Sequence, residues 1–539
     1  MKLRIGTRGS DLALWQARHV ASLLSPEAEC ELVVLKTRGD LIDNVPLQNV
    51  EGKAFFTGEI EQALLESRVD LAVHSHKDLP TAMTPGLVIA AVPARASAAE
   101  RLLVRPAAYE PDTAFLPLRE NAQVGTSSPR RIAQLQLLRP DLQARVLRGN
   151  VPTRVLRLRD GRYDAIVLAA AGLDRLGLDL SGLHDVELSL EWFVPAPAQG
   201  ALAIQIREGD TVLAALLDRK LNDVHCARAV AAERRLLESA GGGCNLPLGA
   251  AVTGNGPYKA FVFLGAGHPT PQDSARWASA EAETADAAAR RAFERLSASG
   301  AHTGPLCGCT IALTGSRSTA SELESRLTEL GASVVVEEVI AFEDLEAPEL
   351  AQRVASLREG DALAVTSREA ARRLAGVSPK RGVAIAAVGE GTASALRAAG
   401  LEPTLVGDQG AMVLAQQLDC IEGARVLFPC AEKTSGELER ELVSRALLVE
   451  PLPLYRTVAR RDAQIVRGVH VRVLLSPSAV RIASELAIEQ GSTVLIALGE
   501  RTLAACAEVG WQARRTRDNR SASVIVEVAR VCRELENPA

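Results

Sequence analysis

Apolar or alternating runs and segments of helical period take turns from the first residues onward, and this alternation is what most constrains the chain. LRIGTR, helical LALWQARHVASLL, CELVVLKT, helical GEIEQALLESR and DLAVHS follow one another. Such an order sandwiches strands between helices and builds α/β layers rather than stacked β-sheets. After a proline-bearing stretch from Pro106 to Pro117 it resumes as AQVGTSS, SPRRIAQLQLL, ARVLRG, VPTRVLRLRD and DAIVLAAAG. Pro195–Gly200 then marks a crossover into a further strand, ALAIQIR.

At 539 residues the chain exceeds a single hydrophobic core, and size scaling asks for roughly three to five domains of about 100–200 residues. Aromatic residues are only 3% against 47% hydrophobic residues, which suits helix-on-sheet packing. From about residue 221 the texture changes to a long helical stretch, the strand-like AVTGNGPYKAFVFLGAG and a helix over 281–298, a smaller α+β unit. ASGAHTGPLCG at 298–308 has linker composition. Beyond it the alternation starts afresh with an internal duplication, for AVGEGTASALRAAG (387–400) and ALGERTLAACAEVG (497–510) agree at six of fourteen positions. Each copy follows a strand that ends in serine, Ser367 and Ser476, so two similar lobes are expected.

The formal net charge of −5 provides no global field for nucleic acid or an anionic membrane, so any basic site is local. Nine cysteines, an odd number spread thinly, do not form a disulfide framework and point to a reducing compartment. Cys307-x-Cys309 has no second Cys/His pair at ligand spacing, and no metal site is expected. The start MKLRIGTRGSD lacks an apolar signal region, and no run approaches the roughly 18 apolar residues of a membrane span. A cytoplasmic, monomeric protein without nucleic-acid or membrane partners is the expectation.

Local chemistry concentrates in a few stretches. In ESAGGGCNLPLGA, three glycines precede Cys244. A cysteine so framed is either a small apolar residue in a turn or a thiol with little steric cover. VGTSSPRR places Thr126, Ser127, Ser128, Arg130 and Arg131 at the start of a helix, where free backbone N–H groups receive anions. LRGNVPTR repeats the arrangement with Arg148 and Arg154, and Arg8 and Arg175 also fall at strand ends, where ligands of α/β folds bind. HSHKDLP sets Lys77 and Asp78 directly after an apolar strand. Its two histidines, His74 and His76, read as core or supporting residues. A cleft with many guanidiniums, one carboxylate and one thiol fits a polyanionic ligand handled beside a single negative group.

Taken in order, GTRGS, LALWQA, TRGD, HSHKDLP, VGTSSPRR, LRGNVPTR, DAIVLAAAGLDRLG and GGGCNLPLGA resemble porphobilinogen deaminase, or hydroxymethylbilane synthase, across about residues 1–300. The resemblance implies that Cys244 carries a dipyrromethane cofactor through a thioether and that Asp78 stabilises positive charge on pyrrole nitrogen as ammonia leaves. It assigns Lys77, Thr126, Ser127, Ser128, Arg130, Arg131 and Arg154 to the cofactor's acids, and Arg8, Ser10, Arg148 and Arg175 to incoming substrate. The sequence departs from the family at Ser97-Ala98-Ala99-Glu100-Arg101, at Gly58 and at Ala198.

About 309–539 resembles uroporphyrinogen-III synthase through the duplicated lobes, SPSAV, the Gly-x-x-Thr turns and PLPLYRTV. That resemblance gives Tyr455 a role at the inverted ring or in departure of the terminal hydroxyl, against a reading as an interdomain packing residue. Substrate carboxylates would meet helix amides with Thr392 and Thr502, and the serines Ser367 and Ser476.

The expected architecture is α/β throughout. Residues 1–96 with 195–220, and 97–194, form two periplasmic-binding-protein-like lobes; 221–300 forms a small α+β domain and 301–308 a linker. Residues 309–342 with 458–539, and 343–457, form the two synthase lobes. The activity expected is a fusion that polymerises porphobilinogen and cyclises the product to uroporphyrinogen III. The competing readings are a deaminase acting alone, a decayed deaminase with an active synthase, and a two-lobed anion sensor.

Overall fold

The structure is a computed structural model that describes residues 1–36, 57–111, 113, 115–242, 246–265, 275–297, 304–407, 411–420, 422–486 and 492–536. Cys244, the TRGD motif at 37–40 and the first part of the 301–308 linker lie outside the described residues.

Five sheets organise the described chain, in a mixed α/β arrangement. In the first, the strands run in the order Glu29–Val34, Lys2–Thr7, Leu71–Ser75, Leu202–Arg207, Leu87–Ala91. The first three are parallel, and Leu202–Arg207 is antiparallel to both its neighbours. The second sheet repeats this plan with Gln143–Arg145, Gln123–Gly125, Ala165–Ala169, Glu100–Val104 and His184–Leu188. There Glu100–Val104 is the antiparallel strand, and Gln123–Gly125 is parallel to both of its neighbours.

βα alternation alone implies parallel pairing throughout. The antiparallel strands arise because Glu100–Val104 and Leu202–Arg207 each enter their sheet from the other sheet's territory, not over a helix of their own layer. The two crossing segments touch, with Ala96 N–H donating to Gly200 O at 3.3 Å. Gly200 is required at this crossing, since its φ is +85° and a Cβ there would lie 2.5 Å from Ala96 O. Two residues earlier Ala198 also has a left-handed backbone, φ +62°, and the fully buried Glu233 accepts its N–H at 2.6 Å.

The third sheet is an antiparallel meander of Leu248–Thr253, Tyr258–Leu264 and Arg276–Ala282, packed against the helices Val224–Ser239 and Ala285–Ser297. The fourth is wholly parallel in the order Ser333–Glu338, Thr310–Gly315, Val471–Leu474, Val494–Ala497, Ala513–Arg515. The fifth runs Ile340–Asp344, Leu448–Ala459, Arg425–Ala431, Ala362–Val365, Ala384–Ala387, Leu405–Val406, with only its first pair antiparallel.

The apolar cluster beneath the second sheet is continuous with that of the fourth, joining Leu135 and Leu138 to Leu306, Leu323, Leu327 and Ile525. Leu306, in the described part of the stretch expected as a linker, is buried and its N–H donates to Leu330 O at 2.9 Å. That end of the linker is therefore docked on the second half.

Candidate functional sites

Strand Leu71–Ser75 ends in a single turn of 3-10 helix, His76–Asp78. The turn is gripped from the third module: Arg234 on helix Val224–Ser239 donates to Pro80 O at 2.5 Å and to Leu79 O at 3.3 Å. Asp78 is exposed. The Lys77 amine also reaches water from the cleft, but it is ringed by protein, and that enclosure pulls its pKa down despite the adjacent Asp78. Its Nζ donates to Gln199 Oε1 at 3.0 Å, and Gln199 Nε2 in turn donates to Ala98 O at 2.9 Å across the paired crossovers. His74 is buried with Nε2 3.0 Å from Gln205 Oε1, and desolvation drives it down to about 4. His76 is likewise buried and pushed down to about 3, by burial first and then by the charge of Arg234.

Across the cleft, the Arg130 and Arg131 side chains leave helix Pro129–Leu138 inward, not toward solvent. Both bind the fully buried Glu100. Arg130 Nη2 lies 2.5 Å from Oε1, while Arg131 Nε and Nη2 lie 3.0 and 2.6 Å from Oε1 and Oε2. Their other guanidinium nitrogens reach Val194 O and Val167 O. The two cations hold the Glu100 carboxyl far below the usual carboxylate range, against the cost of burying it. Glu100 belongs to the segment 97–101, the stretch expected above to depart from the deaminase pattern.

Ser127 joins two loops, donating from Oγ to Leu147 O at 2.7 Å and accepting the Leu147 N–H at 3.1 Å. Thr126 is buried and its Oγ1 accepts the Ser128 N–H at 3.3 Å. Ser128 is the N-cap residue of helix Pro129–Leu138 but makes no side-chain capping bond, so amides of that helix start remain unclaimed by its hydroxyl. Asn150 caps the next helix, Val151–Arg159, by accepting the Thr153 N–H at 2.9 Å. Arg154 on its first turn donates to Gly149 O at 2.7 Å. Its pKa falls to about 10, chiefly through burial and then through the charge of Arg131, with Arg148 and Arg157 adding to the repulsion. Such an enclosed group of like charges favours an incoming anion.

The remaining expected contacts are more dispersed. Ser10 uses its hydroxyl to cap helix Asp11–Leu24, accepting the Ala13 N–H at 3.4 Å, and Arg8 is half-buried beside it in sequence. Arg175 donates to Gly200 O at 2.7 Å and lies over the Trp15 ring, 5.8 Å from its centroid. Burial takes its pKa down to about 10. It therefore ties the crossover to the first helix.

In the second half a cavity of about 1620 Å³ opens between the fourth and fifth sheets. The backbone turns at Gly389–Gly391 and Gly499–Arg501 line it, as does Tyr455, and each turn begins a helix, Glu390–Ala398 and Gly499–Glu508. Thr392 and Thr502, expected as ligand-binding hydroxyls, are 5% and 2% exposed beneath those turns, which leaves the amides at the surface. The structure brings Tyr455 and Ser367 together, their hydroxyl oxygens 2.9 Å apart. Burial raises the Tyr455 pKa, so the phenol keeps its proton at neutral pH. Phe342 packs edge-on against its ring, and the Arg373 guanidinium lies 4.8 Å from the centroid. Ser367 and Ser476 cap their own helices, accepting the Ala370 and Ala479 N–H groups at 3.0 and 3.1 Å. Sequence reasoning passed over Gln199, Arg234 and the cavity arginines Arg368, Arg501, Arg515, Arg517 and Arg520. The run RRTRDNR, which begins within strand Ala513–Arg515, was the available signal for three of them.

These features define a chain with two separate clusters of polar groups, the first rich in arginine and lysine and the second a cavity lined by helix starts. Residues 3–215 match the family model for porphobilinogen deaminase, dipyromethane cofactor binding domain, and residues 321–527 match uroporphyrinogen-III synthase HemD. A porphobilinogen deaminase of Nitratidesulfovibrio vulgaris is 46% identical over 262 residues, spanning 48% of this chain and 80% of that protein. One from Sulfurimonas denitrificans is 42% identical over 269 residues, 49% of this chain and 84% of that one. Among solved structures, a mutant uroporphyrinogen III synthase from the extremely thermophilic bacterium Thermus thermophilus covers 42% of this chain and all of its own (100%), at 21% identity and a TM-score of 0.31. The chain belongs to the porphobilinogen deaminase family and carries a uroporphyrinogen-III synthase domain behind it.

Proposed function

We propose that the chain converts porphobilinogen to uroporphyrinogen III in two steps, one in each half. In the first, porphobilinogen units join with loss of ammonia, and water then releases the chain as hydroxymethylbilane. In the second, that linear tetrapyrrole closes with loss of water and inversion of one ring. The repeated strand plan of the first two sheets supports a pair of periplasmic-binding-protein-like lobes around the first cleft. The fourth and fifth sheets support a reading of two lobes around the second.

The observation that carries the first step is a connected set of charges in which Arg131 acts on both Lys77 and Arg154, Arg148 acts on Arg154, and Asp78 acts on both Lys77 and Arg154. This donor set fits a dipyrromethane with its acetate and propionate groups. Lys77, Arg154 and the helix start at Ser128 would hold those acids, with Arg130 and Arg131 setting the field behind them. When bound, the dipyrromethane supplies the free pyrrole carbon to which substrate adds. Cys244 is its proposed anchor. The described chain approaches that cysteine at Gly242, where a Cβ would lie 3.2 Å from Thr81 Oγ1, three residues beyond Asp78. The carboxylate of Asp78 stabilises cationic character on pyrrole nitrogen, an electrostatic task that a partly dry cleft strengthens. Arg234 keeps the turn that presents it in place.

For the second step, the turns at Gly389 and Gly499 would offer amides to carboxylates, and the protonated Tyr455, bonded to Ser367, would assist departure of the hydroxyl. Cys244→Ser tests the reading as a whole. The variant is expected to show no pyrrole mass increment on the denatured chain, no colour with Ehrlich's reagent and no porphobilinogen consumption, while still cyclising added hydroxymethylbilane. Unchanged porphobilinogen consumption would overturn it.

A further inference from the structure

The cavity of the second half is not built from the second half alone. Asn121, Pro140 and Asp141, all from the module of the second sheet, form part of its wall. Their presentation is rigid. The buried Arg139 donates to Leu116 O at 3.0 Å and Leu118 O at 3.1 Å, and grips both oxygens of Asp141 at 2.8 Å. Asp141 Oδ2 accepts the Asn121 N–H at 3.2 Å. Asn121 itself has φ +58°, a left-handed turn that asparagine tolerates, and this turn carries Glu120 at its edge.

Glu120 meets two arginines of the other half. Its Oε2 lies 3.3 Å from Arg517 Nη1, and its Oε1 pairs with Arg520 Nη2. The carboxylate is 19% exposed whereas the arginines are 66% and 56% exposed, so the acid is the fixed member. Behind the arginines the contacts lead inward. Arg520 Nε donates to Asp518 Oδ2 at 2.9 Å, and the Ser523 hydroxyl donates to Asp518 Oδ1 at 2.7 Å. Thr516 Oγ1 donates to Asp518 O at 2.7 Å and accepts the Gly499 N–H at 3.1 Å. Asn519 packs so closely on Gly499 that a Cβ there would overlap its Oδ1. Glu120 is thereby linked through residues 516–520 to one of the two helix-start turns that line the cavity.

We propose that Glu120 is a positioning residue for the cyclisation site: by holding Arg517 and Arg520 it fixes the 516–520 segment against the Gly499 turn and aims two guanidiniums at the carboxylates of the linear tetrapyrrole. The deaminase half thus completes the synthase cleft. This rests on the reading of the second step given above. The continuous apolar cluster beneath the junction explains why one ion-pair group can act there as a register and need not act as the glue.

The test uses the full chain with Glu120→Gln and Glu120→Asp. With added hydroxymethylbilane, Glu120→Gln is expected to raise KM roughly three- to tenfold, as loss of up to two ion pairs of modest strength implies, with kcat within about twofold. Glu120→Asp should restore most of the loss, and porphobilinogen consumption should match the parent in both. An unchanged or lowered KM would overturn the proposal, the latter because Glu120 would then be a competitor of substrate. Hydrogen exchange of peptides spanning 513–525 needs no substrate and separates this idea from the assignment of the second step. Faster exchange in Glu120→Gln supports the coupling and unchanged exchange refutes it, even in a chain that failed to cyclise anything.

Discussion

Replacing Glu100 by glutamine asks the sharpest question of the first cleft. The carboxylate is completely buried and accepts three bonds from two guanidiniums that are themselves 5% and 7% exposed. Glutamine keeps the volume but removes the charge and one acceptor, leaving Arg130 and Arg131 buried together with carbonyl partners alone. Breaking a buried ion pair from one side costs about 3–5 kcal/mol. For a unit of about 100 residues, each kcal/mol moves the midpoint by roughly 4–8 °C. The transition containing the second sheet should therefore fall by at least about 12 °C at pH 7.

The pH dependence fixes the origin of the effect. The folded pKa of Glu100 is depressed, so its stabilisation is complete above the unfolded value of about 4.3 and is lost as pH falls through the folded one. Below about pH 4.3 the gap between parent and variant should shrink by about 1.4 kcal/mol per pH unit. Differential scanning calorimetry at pH 7 and pH 3.5 reads both effects. A midpoint within about 3 °C of the parent at pH 7, or a gap that does not narrow in acid, would refute the view that Glu100 neutralises these arginines.

Two further expectations concern the second half. Tyr455→Phe removes the hydroxyl paired with Ser367 and should lower kcat for ring closure by about 10², the order expected when a positioned proton donor is lost, with KM kept; a change under about twofold would leave Tyr455 as a packing residue. Gly499→Ala forces a side chain onto a backbone with φ +79° and into Asn519. Strain of about 1–2 kcal/mol should cut cyclisation kcat/KM about tenfold, while porphobilinogen consumption stays at the parent level.

The alternation of apolar and helical runs was enough to find helix Asp11–Leu24 and helix Val151–Arg159, because each has a capping residue and a one-sided apolar stripe. It did not reveal that Glu100–Val104 and Leu202–Arg207 run antiparallel, since strand direction depends on which sheet a segment enters and leaves no mark in local periodicity. The histidines of HSHKDLP read correctly as buried because an apolar strand precedes them. Arg130 and Arg131 looked like cleft residues from their place at a helix start. Their commitment to Glu100 depends on a partner 30 residues away, which spacing cannot show. Thr392 and Thr502 are similar: a helix N-terminus is legible, but whether its threonine faces out or in is decided by helix rotation. The Glu120 contact with Arg520, |i−j| of 400, lies beyond any local signal.

On the proposed reading the two sites meet the same requirement, holding many carboxylates, with different electrostatics. In the first, among the described residues, Lys77, Arg130, Arg131, Arg148, Arg154 and Arg157 stand with Asp78 and Glu100 in one connected set of charges in which the cations outnumber the acids. Burial and mutual repulsion lower the pKa of Lys77 and of Arg154, which means that the cluster by itself disfavours its own charged state. A bound polyacid removes that penalty, and anything that binds only the folded form stabilises it. A ligand tethered by a covalent bond does so permanently, so loading of the first cleft and stability of its fold are one linked quantity. The second cleft must release its product. There the backbone turns at Gly389 and Gly499 carry partial charges that need no counter-ion, and the arginines around them are already paired with Glu120, Glu500, Glu437 and Asp518. Partial charges at helix starts hold an acid less tightly than a buried guanidinium cluster does, and such a site is correspondingly able to let its product go.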